Sequence, residues 1–368
     1  MLNQNHTVVK RVILGIVFFF FTYGFGVLAF ADSSKNSCAK VFYAPGLIPL
    51  ADQPFVAFMT FNLRNFGLSV QAEKFDKKAL RVAQIIRDYK PDFVIFQEVV
   101  DLESLRRLAW DYLRGEYGWK LYSGAKGATH HLAFIFKRNL KLRYEFRSNL
   151  NETWVDPVTG RETTLFTRDV PIMIVWNQDS LDFHPVFIFI GVHIKSPIDR
   201  YGDLGSEILR KEQLKRIGTI ITDLKKEFGD NVPIIVGGDF NIDLEKGVSW
   251  LSQIGMEEAF HSLSRRTGKI PAINRITFVN FSGNTLRVQQ LDGFFIDRKS
   301  VDVVDSIQVV PFRKSEGGRT QLPRDKREWM EMPSDHYPVL LKLNTQKLLK
   351  LNSQGLLYDD FSLDASGF

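Results

Sequence analysis

Gly237-Gly238-Asp239-Phe240-Asn241-Ile242-Asp243 follows Val232-Pro233-Ile234-Ile235-Val236, an apolar run of the kind that forms a strand buried on both faces. A carboxylate and a carboxamide therefore stand two residues apart at a strand end. Near the C-terminus, Ser334-Asp335-His336 opens another strand-like run, Tyr337-Pro338-Val339-Leu340-Leu341-Lys342-Leu343, which sets an acid beside an imidazole at a second strand mouth. Polar groups delivered this way gather at a shared sheet edge, where active sites are commonly built.

The same punctuation recurs outward from these two stretches. Phe55 to Asn62 is apolar and β-rich, and Glu73 to Tyr89 then carries Phe75, Ala79, Val82, Ala83 and Ile86 at helical spacing until Pro91 stops the helix. Asp92 to Glu98, Leu132 to Phe136, Pro171 to Trp176, Val186 to His193, Pro233 to Asp239 and Leu291 to Ile296 read as further buried strands. A second helix is expected between Glu207 and Phe228, where Leu214, Ile217, Ile221 and Leu224 recur three and four apart. Several strands follow one another directly, so the order predicts mixed sheets covered by helices rather than a doubly wound parallel sheet. The strand ends deliver Asn62, Glu98, His193, Asp239 with Asn241, Asp292, and Asp335 with His336. A carboxylate at the end of such a run is costly if buried unpaired, and a bound cation or a partnered histidine accounts for several of them together. Taken singly, each has an ordinary reading as a capping acid, a hydrogen-bonded histidine or a turn residue; taken together they point to a site.

At 368 residues the chain can bury a full core, and no internal repeat is visible. Residues 1–31 read as a secretory signal: Lys10-Arg11 precede an uncharged apolar stretch from Val12 to Ala31 that ends in Ala29-Phe30-Ala31. The stretch is also just long enough to span a bilayer, so an uncleaved membrane anchor is the alternative to an exported, periplasmic or secreted protein. Residues 32–53 read as a linker, 54–345 as the catalytic domain and 346–368 as an unpatterned tail. The single cysteine, Cys38, excludes an intramolecular disulfide framework and a cysteine-held zinc site. The 48 basic and 42 acidic residues give a formal charge of +6, and without Lys10 and Arg11 the count is 46 against 42, or +4. That excess is compatible with a polyanionic partner without requiring one. The all-oxygen donors at the strand ends suit Mg²⁺, or Mn²⁺, rather than zinc.

The ordered set Asn62, Gln97-Glu98, His193, Gly238-Asp239-Phe240-Asn241, Asp292 and Ser334-Asp335-His336 resembles the endonuclease/exonuclease/phosphatase superfamily over roughly Phe55 to Leu343. Phe61-Asn62-Leu63-Arg64-Asn65-Phe66-Gly67 and Gln97-Glu98-Val99-Val100-Asp101 are closest to its deoxyribonuclease I branch. The resemblance implies an α/β four-layer sandwich, two central mixed β-sheets flanked by helices, and divalent-metal-dependent hydrolysis of a phosphate ester. It implies Glu98 as the principal metal ligand, with Asn62 and Asp335 completing or supporting the metal shell. His336 would be the general base, oriented by Asp292, and Asp239 would position the nucleophile or assist proton transfer. Asn241 and His193 would donate hydrogen bonds to the phosphate oxygens, and Arg168, in Thr167-Arg168-Asp169-Val170-Pro171, resembles a phosphate-contacting arginine. Two positions depart from the branch. His130-His131 stand where relatives place a glutamate that partners the first histidine, and Val100 stands where deoxyribonuclease I has an arginine.

The shared chemistry does not choose among DNA, RNA and phospholipid headgroups. Arg265-Arg266 with Lys269 and Arg275, and the segment from Arg313-Lys314 through Arg319 to Arg324, Lys326 and Arg327, lean toward a nucleic-acid substrate. A sphingomyelinase-like or phosphoinositide-directed enzyme is the alternative, and Trp329 suits either a base or a lipid. A catalytically silent binding module is the reading from another class. Retention of Glu98, Asp239, Asn241, His193 and His336 argues against it. A monomer is expected, and the sequence names no protein partner.

Overall fold

The computed structural model describes residues 46–149, 152–157, 159–178, 184–197, 206–246, 249–312 and 321–351. The expected signal or anchor, most of the linker, Arg313, Lys314, Arg319 and the end of the tail lie outside the described residues. Among the described residues, no helix is long and apolar enough to cross a membrane.

In chain order the strands are β1 (Phe55–Phe66), β2 (Phe93–Val99), β3 (Tyr117–Tyr122), β4 (His131–Lys137), β5 (Leu142–Arg147), β6 (Thr153–Val155), β7 (Glu162–Thr164) and β8 (Ile172–Asn177). They continue with β9 (Phe187–His193), β10 (Ile234–Asp239), β11 (Met256–Glu258), β12 (Phe278–Ser282), β13 (Thr285–Gln289), β14 (Asp292–Asp297), β15 (Val304–Val309) and β16 (Val339–Asn344). The helices are α1 (Leu68–Tyr89), α2 (Leu102–Arg107), α3 (Ser206–Phe228), α4 (Ser249–Gln253), α5 (Ala259–Thr267) and α6 (Lys326–Met330). One sheet runs β15-β16-β1-β2-β4-β3 and the other β11-β14-β10-β9-β8-β5. Each is mixed: β1 with β2 and β9 with β10 are parallel pairs among antiparallel neighbours.

Alternation along the strands builds the layers. Val56 and Phe58 of β1 enter the core between the sheets while Ala57, Met59 and Phe61 face α1. Phe187 and Phe189 of β9 enter the same central core, and Ile188 and Ile190 face Leu214, Ile217, Ile221 and Leu224 of α3. The rings of Phe187 and Phe189 meet Phe58 edge-on at 5.1 and 5.2 Å, a favoured aromatic geometry. The result is helix, sheet, sheet, helix, the four-layer sandwich that the sequence predicts.

Two boundaries differ from the sequence reading. The expected linker already belongs to the fold at Leu50, which is buried in the central core, and Ile48 bridges to Leu140. The expected tail begins with a helical segment, 345–351, whose Leu348 is fully buried. Asn344 Oδ1 accepts the Lys347 N–H at 3.0 Å, which caps that segment.

Candidate active site

Register carries the strand-end residues to one edge of the sandwich. In the second sheet Asp239 of β10 lies opposite His193 of β9 on one side and Asp292 of β14 on the other. In the first sheet Asn62 of β1 pairs with Gln97, next to Glu98. Ser334 Oγ donates to the Asn62 carbonyl at 2.7 Å and accepts the His336 N–H at 3.1 Å, tying the loop before β16 to β1. The Asn62 amide then spans the sheets: Nδ2 donates to Asp239 Oδ2 at 3.0 Å and to Glu98 Oε1 at 3.4 Å, while Oδ1 accepts the Arg64 N–H. All eight expected catalytic and metal residues thus meet along one seam, with Asn62 as a bridge between the two carboxylates.

The backbone around them is strained. Among the described residues, four of the six non-glycine residues with positive φ, Arg64, Asn65, Glu98 and Asn241, belong to this region. Each such conformation costs about 1–3 kcal/mol and persists where neighbours over-determine it. For Glu98 the neighbours are the Asn65 N–H, 3.0 Å from Oε2, and the Asn62 amide.

The acid–base groups form a chain. His336 Nδ1 lies 2.7 Å from Asp292 Oδ2, and His336 Nε2 lies 4.0 Å from Asp239 Oδ2. Thr277 Oγ1 accepts the Asp292 N–H at 2.9 Å, and the Phe278 ring packs on His336 with centroids 4.8 Å apart. Burial works against charge on His336, but Asp292, Asp239 and Asp335 outweigh it and hold its pKa up at about 10. Burial raises Asp239 to about 7, with His336 pulling the other way. Protons in such a chain belong to the group as a whole. The structure brings together the Asp292–His336 pair and the Asp239 carboxylate that the sequence reading named, with His336 held toward its charged form and Asp239 toward its neutral one.

His193 behaves differently. Its Nε2 is 3.5 Å from Asp239 Oδ2, and burial first, then the charges of Arg168, His336 and His130, keep its pKa well below the ordinary value. It is a neutral imidazole, and among the described residues its buried Nδ1 has no hydrogen-bond partner. Among the described residues, no other group stands at that nitrogen in place of the glutamate that the resemblance implies. His130 Nε2 instead sits 2.6 Å from Asn65 Oδ1 and 3.9 Å from Glu98, and His131 Nδ1 accepts the Gly124 N–H. Asn241 donates Nδ2 to the Ile194 carbonyl, leaving one amide hydrogen for a ligand. Arg168 is half-buried, and burial lowers its pKa against the opposing fields of Glu98 and Asp239.

Glu98 and Asp335 suit a hard divalent cation: both are carboxylates, and Glu98 is fixed by two donors. Asp335 meets Arg64 Nε at 3.5 Å, and the Arg64 guanidinium lies 4.4 Å over Trp329. Asp239, Asp292 and His336, with donor atoms within 4.8 Å of one another, form a second constellation capable of holding an ion.

Sequence reasoning missed Lys78, Arg64, Asn65 and Thr277. Lys78 Nζ donates to the Arg64 carbonyl; burial, then Arg64, lowers its pKa to about 8 against Asp335 and Glu98. A signal existed, because Lys78 falls three residues after Phe75 and four before Val82, on the margin of the buried stripe of α1. Trp329 donates its indole N–H to the Val279 carbonyl, so it walls the site instead of projecting from it. The basic segments are partly neutralised. Arg275 is buried against Glu258 and Gln290, Arg265 pairs with Glu257, and Arg324 pairs with Glu328.

Residues 59–336 match the family model described as Endonuclease/Exonuclease/phosphatase family. Among solved structures, TDP2 from Caenorhabditis elegans is similar with a TM-score of 0.53 at 14% identity, over 79% of this chain and 75% of that one. Mannosyl-6-phosphatase from Bacteroides thetaiotaomicron gives 0.51 at 18%, over 78% and 99%, and the human Nocturnin catalytic domain with bound sulfate gives 0.50 at 16%, over 78% and 93%. These likenesses concern the fold, and a search of curated proteins finds no match. The matched span runs from β1 to His336 and so takes in every strand end that builds the seam, and the chain belongs to the endonuclease/exonuclease/phosphatase family.

Proposed function

We propose that this chain is an exported, divalent-cation-dependent phosphodiesterase that hydrolyses nucleic acid, DNA foremost. The observation that carries hydrolysis is the Asp292–His336 pair facing Asp239, joined through Asn62 to Glu98. Glu98 and Asp335 would hold the divalent cation, which when bound would supply Lewis acidity toward the phosphate. The proton of the attacking water passes into the Asp239–His336–Asp292 chain. Neutral His193, the free amide hydrogen of Asn241 and the Arg168 guanidinium donate to the phosphate oxygens as charge builds on them.

Nucleic acid is favoured by the cationic rim of Arg64, Lys78 and Arg168 around the carboxylates and by the formal charge of +4 that remains without Lys10 and Arg11. One observation favours a lipid headgroup instead: the β12–β13 hairpin flanks His336, and Val288 on it and Met330 on α6 are exposed. Plasmid DNA, RNA and sphingomyelin incubated side by side with Mg²⁺, Mn²⁺ or chelator decide between them. Cation-dependent cleavage of DNA is expected. Sphingomyelin turnover above that of DNA overturns the substrate reading, and full activity with chelator overturns the mechanism. Export is tested by N-terminal sequencing of protein recovered from the producing cell, with Asp32 expected first; an intact Met1 in the membrane fraction supports the anchor.

A further inference from the structure

α1 covers the outer face of the first sheet through Phe75, Ala79, Val82 and Ala83, and Lys78 lies beside that stripe. Its ammonium turns back to donate to the carbonyl of Arg64. Arg64 and Asn65 stand in the left-handed region, with φ of 47° and 56°, inside the irregularity where β1 shifts register between Asn62 and Phe66. Three contacts leave this bulge for the carboxylate side of the seam. The Asn65 N–H holds Glu98 Oε2 at 3.0 Å, Arg64 Nε meets Asp335 Oδ2 at 3.5 Å, and Asn65 Oδ1 meets His130 Nε2 at 2.6 Å.

We propose that Lys78 is a positioning residue for the cation site: by holding the Arg64 carbonyl it fixes the bulge, and the bulge sets the aim of Glu98 and Asp335. Lys78 reaches the cation through other residues, so its ammonium acts as a tether and not as a ligand. This rests on the reading that Glu98 and Asp335 hold the cation. A left-handed turn on two non-glycine residues does not hold itself. An ammonium is well suited to the task because it offers three donors on a stem that packs along the helix face.

The test is Mn²⁺ titration of the purified full-length chain by calorimetry without substrate, for wild type, Lys78→Met, Lys78→Arg and Glu98→Gln. Groups that orient metal ligands typically contribute about 10–100-fold to affinity. Lys78→Met is therefore expected to weaken Mn²⁺ binding at least about tenfold while the cation-free thermal midpoint stays close to wild type. Lys78→Arg, which restores a donor, is expected to recover most of the loss, and Lys78→Gln replaces Lys78→Met if that variant does not fold. Wild-type affinity in Lys78→Met, or Lys78→Arg binding no better than Lys78→Met, overturns the proposal. Glu98→Gln separates the two levels: if it binds Mn²⁺ as tightly as wild type, the cation reading itself fails and the tether falls with it.

Discussion

His336 is buried among carboxylates, and its charge links stability to pH. Burial opposes the charge, yet Asp292, Asp239 and Asp335 raise its pKa from the ordinary 6.5 to about 10. A folded-state value above the unfolded one contributes stability that is complete below about pH 6.5 and disappears as pH climbs through about 10. The stability gap between wild type and His336→Ala should accordingly be widest near pH 6 and close toward pH 10; urea titrations at both ends measure it, and a gap that widens with pH contradicts the assignment. In turnover, His336→Ala and Asp239→Asn should each lose at least about a hundredfold with the fold retained. Asp292→Asn removes one support of the imidazolium, so a smaller loss is expected, with the acidic limb of the rate profile moved to lower pH. His193→Ala should lower the rate without removing that limb if His193, kept neutral by burial, acts as the proposed donor to the phosphate. Glu98, His193, Asp239 and Asp292 were legible in the sequence because each interrupts an apolar run. Thr277 was not, and for Lys78 the spacing of α1 marks a lysine at the margin of the buried stripe without showing that it turns back to the Arg64 carbonyl.

At the scale of elements, the apolar runs reveal the strands that have neighbours on both sides: β1, β2, β4 and β16 in one sheet, β8, β9, β10 and β14 in the other. The edge strands β3, β5, β11 and β15 escape that reading. β5 shows why. Leu142-Arg143-Tyr144-Glu145-Phe146-Arg147 alternates apolar and charged side chains, which keeps an edge from pairing with other chains but dilutes the buried-strand signal. Between β9 and β10 the chains approach so closely that a methyl group on Gly238 would sit 2.0 Å from the Val192 carbonyl oxygen. Gly238→Ala should destabilise the protein by about 1–3 kcal/mol and draw Asp239 away from His193, lowering turnover as well. An unchanged denaturation midpoint would show that the strands part without penalty. Past β16, Leu348 is buried in the central core, and Leu348→Ala should cost about 2–5 kcal/mol, read from the same titration. The unpatterned look of this stretch reflects its brevity; Asn344 as a cap was the available clue.

For the whole molecule, cleavage of a polyanion should weaken as salt rises, because bound cations displace counterions from phosphate. Arg324 is already matched by Glu328, and Arg327 lies 3.8 Å from Glu331. The double variant Arg324→Gln/Arg327→Gln should therefore keep the wild-type salt slope; a flattened slope would place this segment against the substrate after all. The bridge made by Asn62 has a wider consequence. Glu98 stands on β2 of the first sheet, Asp239, Asp292 and His193 stand on β10, β14 and β9 of the second, and His336 lies in the loop leading into β16, where it bridges to Phe278 of β12. The groups of the seam are thus two halves of a caliper whose jaws are set by the edge-on packing of Phe58 against Phe187 and Phe189. Slippage between the halves by a fraction of an ångström opens the caliper while both sheets keep every hydrogen bond. Rising denaturant should extinguish catalysis before circular dichroism registers any loss of strand.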